Sequence, residues 1–168
     1  MRKFIQIINK INEIAMWIVG FMLLIMGILL FYAVIMRYFF NNSPSWSFDL
    51  TGLLTGYAAF LGGGYALLQG AHVRVDIFYE KFSLRTQSLS NIISSTLLFL
   101  LVIVLVWKGM EEVLTNYQNN TIASTGLNIP VWIKWVMLPL GGVLLGIQAI
   151  AHLIQDFYVV IKGKRMFD

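Results

Sequence analysis

The 168-residue chain contains no cysteine, only three prolines and eight acidic residues, and along four long stretches it has no ionisable side chain at all. The missing cysteine removes disulfides, thiolate nucleophiles and Cys-ligated zinc or iron–sulfur sites together. No phosphate-cradling glycine loop, no nucleophilic serine motif and no paired carboxylates inside an apolar run are present, so no enzyme is expected. The uncharged stretches are residues 14–36, 50–71, 86–107 and 135–151. A helix rises about 1.5 Å per residue and a hydrocarbon core is roughly 30 Å thick, so about 20 uncharged residues cross it. Buried charges mark the working parts of most pumps and carriers, and none falls at mid-depth of these runs.

What is present is apolar. The composition is 58% hydrophobic with mean hydropathy +0.76, which leaves no room for a soluble domain. The sequence predicts an all-α integral membrane protein, a single domain over residues 1–168 with four transmembrane helices near 14–36, 50–70, 88–108 and 134–155. Ahead of them, Phe4, Ile5, Ile7, Ile8 and Ile11 recur at helical spacing opposite Arg2, Lys3, Gln6, Asn9 and Lys10. Residues 2–12 are therefore expected to form a short interfacial amphipathic helix lying on membrane phospholipids, the alternative being a frayed basic terminus. The following run is too long for a signal h-region and lacks a small-residue cleavage site, so it is expected to be retained as the first helix.

With four spans, Arg2, Lys3, Lys10, Arg74, Lys81, Arg85, Lys162, Lys164 and Arg165 share one side, and Arg37, Lys108 and Lys134 the other. Lys and Arg are retained on the cytoplasmic face, so both termini are expected inside. The net charge of +4 is accounted for by this orientation rather than by nucleic-acid binding. On the opposite side the third helix is expected to continue through Met110, Val113, Leu114 and Tyr117 until Asn119, Asn120 and Gly126 break it.

Helices in lipid approach closely where small residues line up. Gly52, Gly56, Ala59 and Gly63 form such a stripe in the second span, and Gly142 and Gly146 form a GxxxG pair in the fourth, where Pro139 is expected to introduce a kink near Trp135. These glycines either hold the four-helix unit together or face a partner. Trp17, Trp107, Trp132 and Trp135 fall at expected membrane interfaces.

Three constellations carry possible chemistry. His72, Asp76 and Glu80 have the spacing of one helix face, but Val73, Val75 and Ile77 alternate with polar residues around Arg74, which fits a loop and argues against a metal site. His72 and His152 near helix ends would serve at most one haem, and the plainer reading of His152 is an imidazole meeting water, phosphate or Asp156. No cofactor is expected. At the opposite rim, Arg37 closes the first span and Asp49 opens the second. Either Ser45 or Ser47 caps the helix with Asp49 at its positive dipole end, or Arg37 and Asp49 form a pair shielded by Trp46.

The order of these features resembles a known family. Arg37-Tyr38, Trp46-Ser47-Phe48-Asp49-Leu50, a glycine-rich second helix, His72-Val73-Arg74-Val75-Asp76, then Gly126, Ile129-Pro130-Val131-Trp132 and Pro139-Leu140-Gly141 look like the small membrane subunit of tripartite ATP-independent periplasmic (TRAP) transporters. The likeness runs from about Ile14 to Phe157. Asp49 departs from it, since the family pattern is expected to carry Glu there. The resemblance implies a bacterial inner-membrane complex with a large multi-span permease subunit, which holds the substrate and sodium sites, and a periplasmic substrate-binding protein. It implies ion-gradient-driven import of organic acids such as dicarboxylates or sialic acid, with this subunit as scaffold and docking surface. It also makes Arg37, Trp46, Asp49, Gly52, Gly56, Gly63, His72, Arg74, Asp76, Pro130, Trp132 and Pro139 the candidate structural and partner-contact residues. A self-sufficient oligomeric transporter or channel and a haem-holding respiratory anchor are the competing readings.

Overall fold

A computed structural model describes residues 2–70, 84–124 and 126–164. Among these residues the chain is built of helices, with one isolated bridge between Ile122 and Pro130. Helix α1 covers Arg2–Phe39, α2 Trp46–Leu68, α3 Leu84–Gln118, α4 Val131–Trp135 and α5 Met137–Lys162. Three stretches are long and apolar enough to cross a membrane: α1, α3 and α4 continued into α5. Helix α2 has 23 residues, enough length to cross, but Asp49, five glycines and two tyrosines leave it less apolar than the other three.

The first surprise lies at the start. Residues 2–12 do not form a separate surface element; they are the first turns of α1, which runs 38 residues without a break. No glycine or proline precedes Gly20, so nothing in this segment interrupts the helix. Its buried side chains Ile5, Ile8, Asn12, Ala15 and Val19 repeat at three and four residues, and the first three of them meet α5. Ile5 and Ile8 pack with Ala151, flanked by Ile147, Ile154 and Tyr158, while Phe4, Ile7 and Ile11 remain exposed. The amphipathic pattern thus serves helix packing at two positions and faces outward at the other three.

Helix α5 is the spine. It packs on α3 along one side and on α2 along another, and the beginning of α1 reaches it beside α2. Small residues make this possible. A Cβ on Gly141 would meet the Phe60 backbone of α2, one on Gly142 would meet Leu105 and Val106 of α3, and one on Gly146 would meet Val102 of α3. The expected GxxxG pair therefore seats α3. Because α1 and α3 lie against different sides of the α2–α5 pair, the four long helices form an open layer rather than a closed ring. Such a layer leaves wide faces uncovered, and α1 and α3 expose Trp17, Phe21, Phe31, Ile93, Leu97 and Trp107 on them.

The expected kink near Trp135 is a break at Val136. The Val136 N–H donates to Trp132 O at 3.1 Å and the Leu140 N–H to Val136 O at 3.2 Å, while Pro139 has no N–H to offer Trp135. Between them the Ile133 carbonyl accepts a hydrogen bond from the Tyr57 hydroxyl at 2.6 Å. A polar backbone group released by the break thereby finds a partner, as membrane surroundings require. Left-handed glycines end two helices, Gly70 after α2 and Gly163 after α5.

Candidate functional site

The two connections at the Arg37 end of the molecule meet each other. Trp46 opens α2 and stacks on Tyr32 of α1, with ring centroids 6.1 Å apart and planes at 19°. Ser45 stands at the N-cap position without a side-chain bond to the helix, and the Ser47 hydroxyl donates to Pro44 O at 2.8 Å. The expected serine cap is therefore not made. Asp49, in the first turn, is 6% exposed, and its Oδ2 accepts from the Leu127 N–H at 3.3 Å while its Oδ1 lies 3.8 Å from Lys134 Nζ.

The pairing of Arg37 with Asp49 gives way to this arrangement. Arg37 sits on the last turn of α1 with its side chain exposed, and among the described residues the ion-pair partner of Asp49 is Lys134. The reason is geometric. Lys134 is held on α4, and α4 is fixed by the bond between Tyr57 and Ile133, whereas Arg37 is free to reach water. Phe48, Asp49, Gly52, Leu53, Lys134 and Met137 line a shallow groove at this point, between α2 and the break. Pro130 pairs with Ile122 in the isolated bridge, and Trp132 meets Tyr117 edge to face at 5.9 Å, tying α4 to the end of α3. Pro139 rests against Gly109 of α3.

A second polar cluster lies between α1 and α5 at the other end of the layer. The Asn12 amide donates to Gln148 Oε1 at 2.9 Å and to Ile8 O at 3.3 Å, and Gln148 Nε2 donates to Asn9 Oδ1 at 3.1 Å. Asn12 and Gln148 are each fully buried. Among the described residues the remaining oxygen of Asn12 has no hydrogen-bond donor, and it lies on Gly64 of α2, where a Cβ would collide with it. Gly64 is thus the close-approach point for α1, α2 and α5, since its Cβ would also come 3.1 Å from Leu144 O. Near that end Asn91 donates to Asp156 at 3.1 Å and joins α3 to α5.

The glycine stripe of α2 divides. Gly56 packs on the Met137 side chain, but among the described residues a Cβ at Gly52, Gly62 or Gly63 would meet nothing within 4 Å. Gly52, Thr55 and Ala59 are exposed, beside Phe48 at 84% exposure. Among the described residues the face of α2 is thus open around Gly52 and Gly63, and α1 meets its edge where the Thr55 hydroxyl donates to Met26 Sδ at 3.3 Å. His72, Arg74 and Asp76 lie outside the described residues.

Lys134, Tyr57, Asn12 and Gln148 were the parts that spacing did not reveal. An uncharged amide inside an apolar run was the available signal for Gln148, and a lone lysine between Trp132 and Trp135 the signal for Lys134. The cluster around Asp49 ties segments together, and it contains no nucleophile placed beside a base.

Comparison with known proteins points one way. A sequence profile of the DctQ component of tripartite ATP-independent periplasmic transporters matches residues 26–158. A protein of Haemophilus influenzae named as a TRAP transporter small permease is 26% identical over 164 residues, which is 98% of each chain. The ectoine TRAP transporter small permease protein of Halomonas elongata is 27% identical over 123 residues, 73% of this chain and 63% of that relative.

Proposed function

The chain belongs to the family of DctQ components of tripartite ATP-independent periplasmic transporters, and from that premise we propose that it is the small scaffold subunit of an ion-gradient-driven importer. The family is a transporter membrane subunit and not an enzyme. In this reading four helices span a bacterial inner membrane with both termini in the cytoplasm, α2 being the least apolar of the four because it is covered on its open side. What covers it is a large multi-span permease subunit, which carries the substrate and sodium sites. The end bearing Asp49 and Lys134 faces the periplasm and helps receive a substrate-binding protein.

The observation that carries this proposal is the open part of the α2 face around Gly52 and Gly63. Gly52, Ala59 and Gly63 offer a backbone to close approach, and among the described residues a Cβ at Gly52 or Gly63 would meet nothing within 4 Å, while α1 meets the edge of this face where the Thr55 hydroxyl donates to Met26 Sδ at 3.3 Å. A glycine-rich face turned to lipid gains little from packing, whereas a second helix seated there gains van der Waals contact along its length. A scaffold role also fits the lack of charge at mid-depth, since coupled transport is normally built on ionisable groups and broken helices around a central site. The solute is an organic acid such as a dicarboxylate or sialic acid; ectoine, named in one relative, is the alternative.

The test is purification of the tagged chain from its native membrane. It is expected to bring down the large membrane protein encoded beside it, and Gly52→Leu and Ala59→Leu are expected to reduce that recovery at least tenfold while the chain itself accumulates normally. Recovery of the chain as a homo-oligomer free of any larger partner would instead favour a self-sufficient channel.

A further inference from the structure

A carboxylate as buried as that of Asp49 is costly unless its oxygens are partnered. One contribution comes from the first turn of α2 itself, where the helix dipole favours negative charge. The other two come from beyond α3: the Leu127 N–H of the connection between α3 and α4 at 3.3 Å, and the Lys134 ammonium of α4 at 3.8 Å. That connection is tied to itself, with the Ala123 N–H donating to Ile129 O at 3.0 Å and the Val131 N–H to Thr121 O at 2.9 Å. It meets the start of α2 again where Gly126 lies on Ser45, so close that a Cβ would come within 2.5 Å of the Ser45 backbone. The connection is thus an internally bonded unit, and the described polar bonds that join it to α2 at this point converge on one carboxylate.

We propose that Asp49 is a positioning residue that docks the α3–α4 connection onto the start of α2, so that this end of the molecule is presented as one preassembled surface instead of two separate loops. The role differs from helix capping, which would engage the N–H groups of α2 alone. It also differs from a hairpin tie to Arg37, which would leave the α3–α4 connection unheld. A partner that binds a preassembled surface has no loop to order, and the entropic cost of ordering is removed from the association.

The proposal is tested by hydrogen exchange on the full chain in lipid nanodiscs, read at Leu127 and Ala123 and compared with the amides of α3 and α5. In Asp49→Ala, exchange at Leu127 and Ala123 is expected to rise at least about tenfold with α3 and α5 unchanged, the signature of local release. Asp49→Glu keeps the charge and the acceptor and is expected to stay within about twofold of the unaltered chain, with Asp49→Asn between the two. Lys134→Met removes the ion pair alone and is expected to give a smaller rise, about threefold, at the same amides. If Asp49→Ala fails to accumulate, Asp49→Asn and Lys134→Met carry the same comparison. Unchanged exchange at Leu127 in these variants overturns the proposal. So does a rise spread equally over α3 and α5, which assigns Asp49 to the general stability of the fold.

Discussion

Two glycine sites on facing helices differ in their surroundings, Gly141 of α5 being closely packed and Gly52 of α2 open. At Gly141 a Cβ would stand 2.6 Å from the Phe60 carbonyl oxygen, 2.7 Å from Phe60 Cβ and 2.8 Å from Phe60 C. Optimal contact between heavy atoms is about 3.5–4.0 Å, so α5 and α2 must part by roughly 1 Å at their crossing. Two of the three atoms are backbone, and no rotamer change relieves them. Overpacking of this kind costs about 1–3 kcal/mol, while alanine returns about 1 kcal/mol through helix propensity, leaving a net loss of up to about 2 kcal/mol. At Gly52 a Cβ would meet nothing within 4 Å among the described residues. Gly52→Ala is therefore expected to leave the isolated chain unchanged or stabilise it by up to about 1 kcal/mol. Both are measured by unfolding the purified chain in mixed micelles and following helicity, where about 1.4 kcal/mol is a tenfold shift in the equilibrium. Gly141→Ala is to be the destabilised variant and Gly52→Ala the neutral one. Equal destabilisation of the two would refute the reasoning, because it would place a neighbour within this chain at the open face of α2.

Two further expectations concern the buried amides and the topology. Gln148→Leu leaves the Asn12 amide in apolar surroundings without its interhelical partner and is expected to cost about 1–3 kcal/mol, whereas Asn12→Leu combined with Gln148→Leu recovers part of the loss, since removing both partners spares the unpaired group. The same unfolding assay checks this, and a strictly additive double variant would show that the amides do not act as a pair. A reporter enzyme active only outside the cytoplasm, fused after Asp168, is expected to be silent, and activity there would contradict a cytoplasmic carboxyl terminus.

The parts of the fold that were legible in the sequence are those set by local pattern. Uncharged runs mark α1, α3 and α5, helical spacing carries α3 out to Gln118, Asn119 and Asn120 end it, and Gly142 and Gly146 do bring α3 against α5. What was not legible depends on partners far along the chain. Residues 2–12 read as a surface helix because hydrophobic spacing does not say whether lipid or another helix covers the apolar side; Asn12, bonded to a residue 136 positions away, marks the second answer. Asp49 invited pairing with Arg37 because a short hairpin brings them near, yet the arginine reaches outward and Lys134 arrives from α4. The glycines of α2 look alike in sequence. Gly56 and Gly64 meet Met137 and Asn12, while Gly52 and Gly63 meet nothing, and that division follows only from the placement of α1 and α5. Local chemistry sets the elements, and the open side of the layer is set by how they assemble.

In the proposed scaffold role this chain supports transport and does not conduct it. The most direct measurement is uptake of radiolabelled organic acid into proteoliposomes under a sodium gradient, with the periplasmic binding protein supplied outside. The chain alone is expected to give no uptake above empty vesicles, and the chain reconstituted with the large subunit encoded beside it is expected to give gradient-dependent uptake. Uptake by the chain alone would contradict the scaffold role outright.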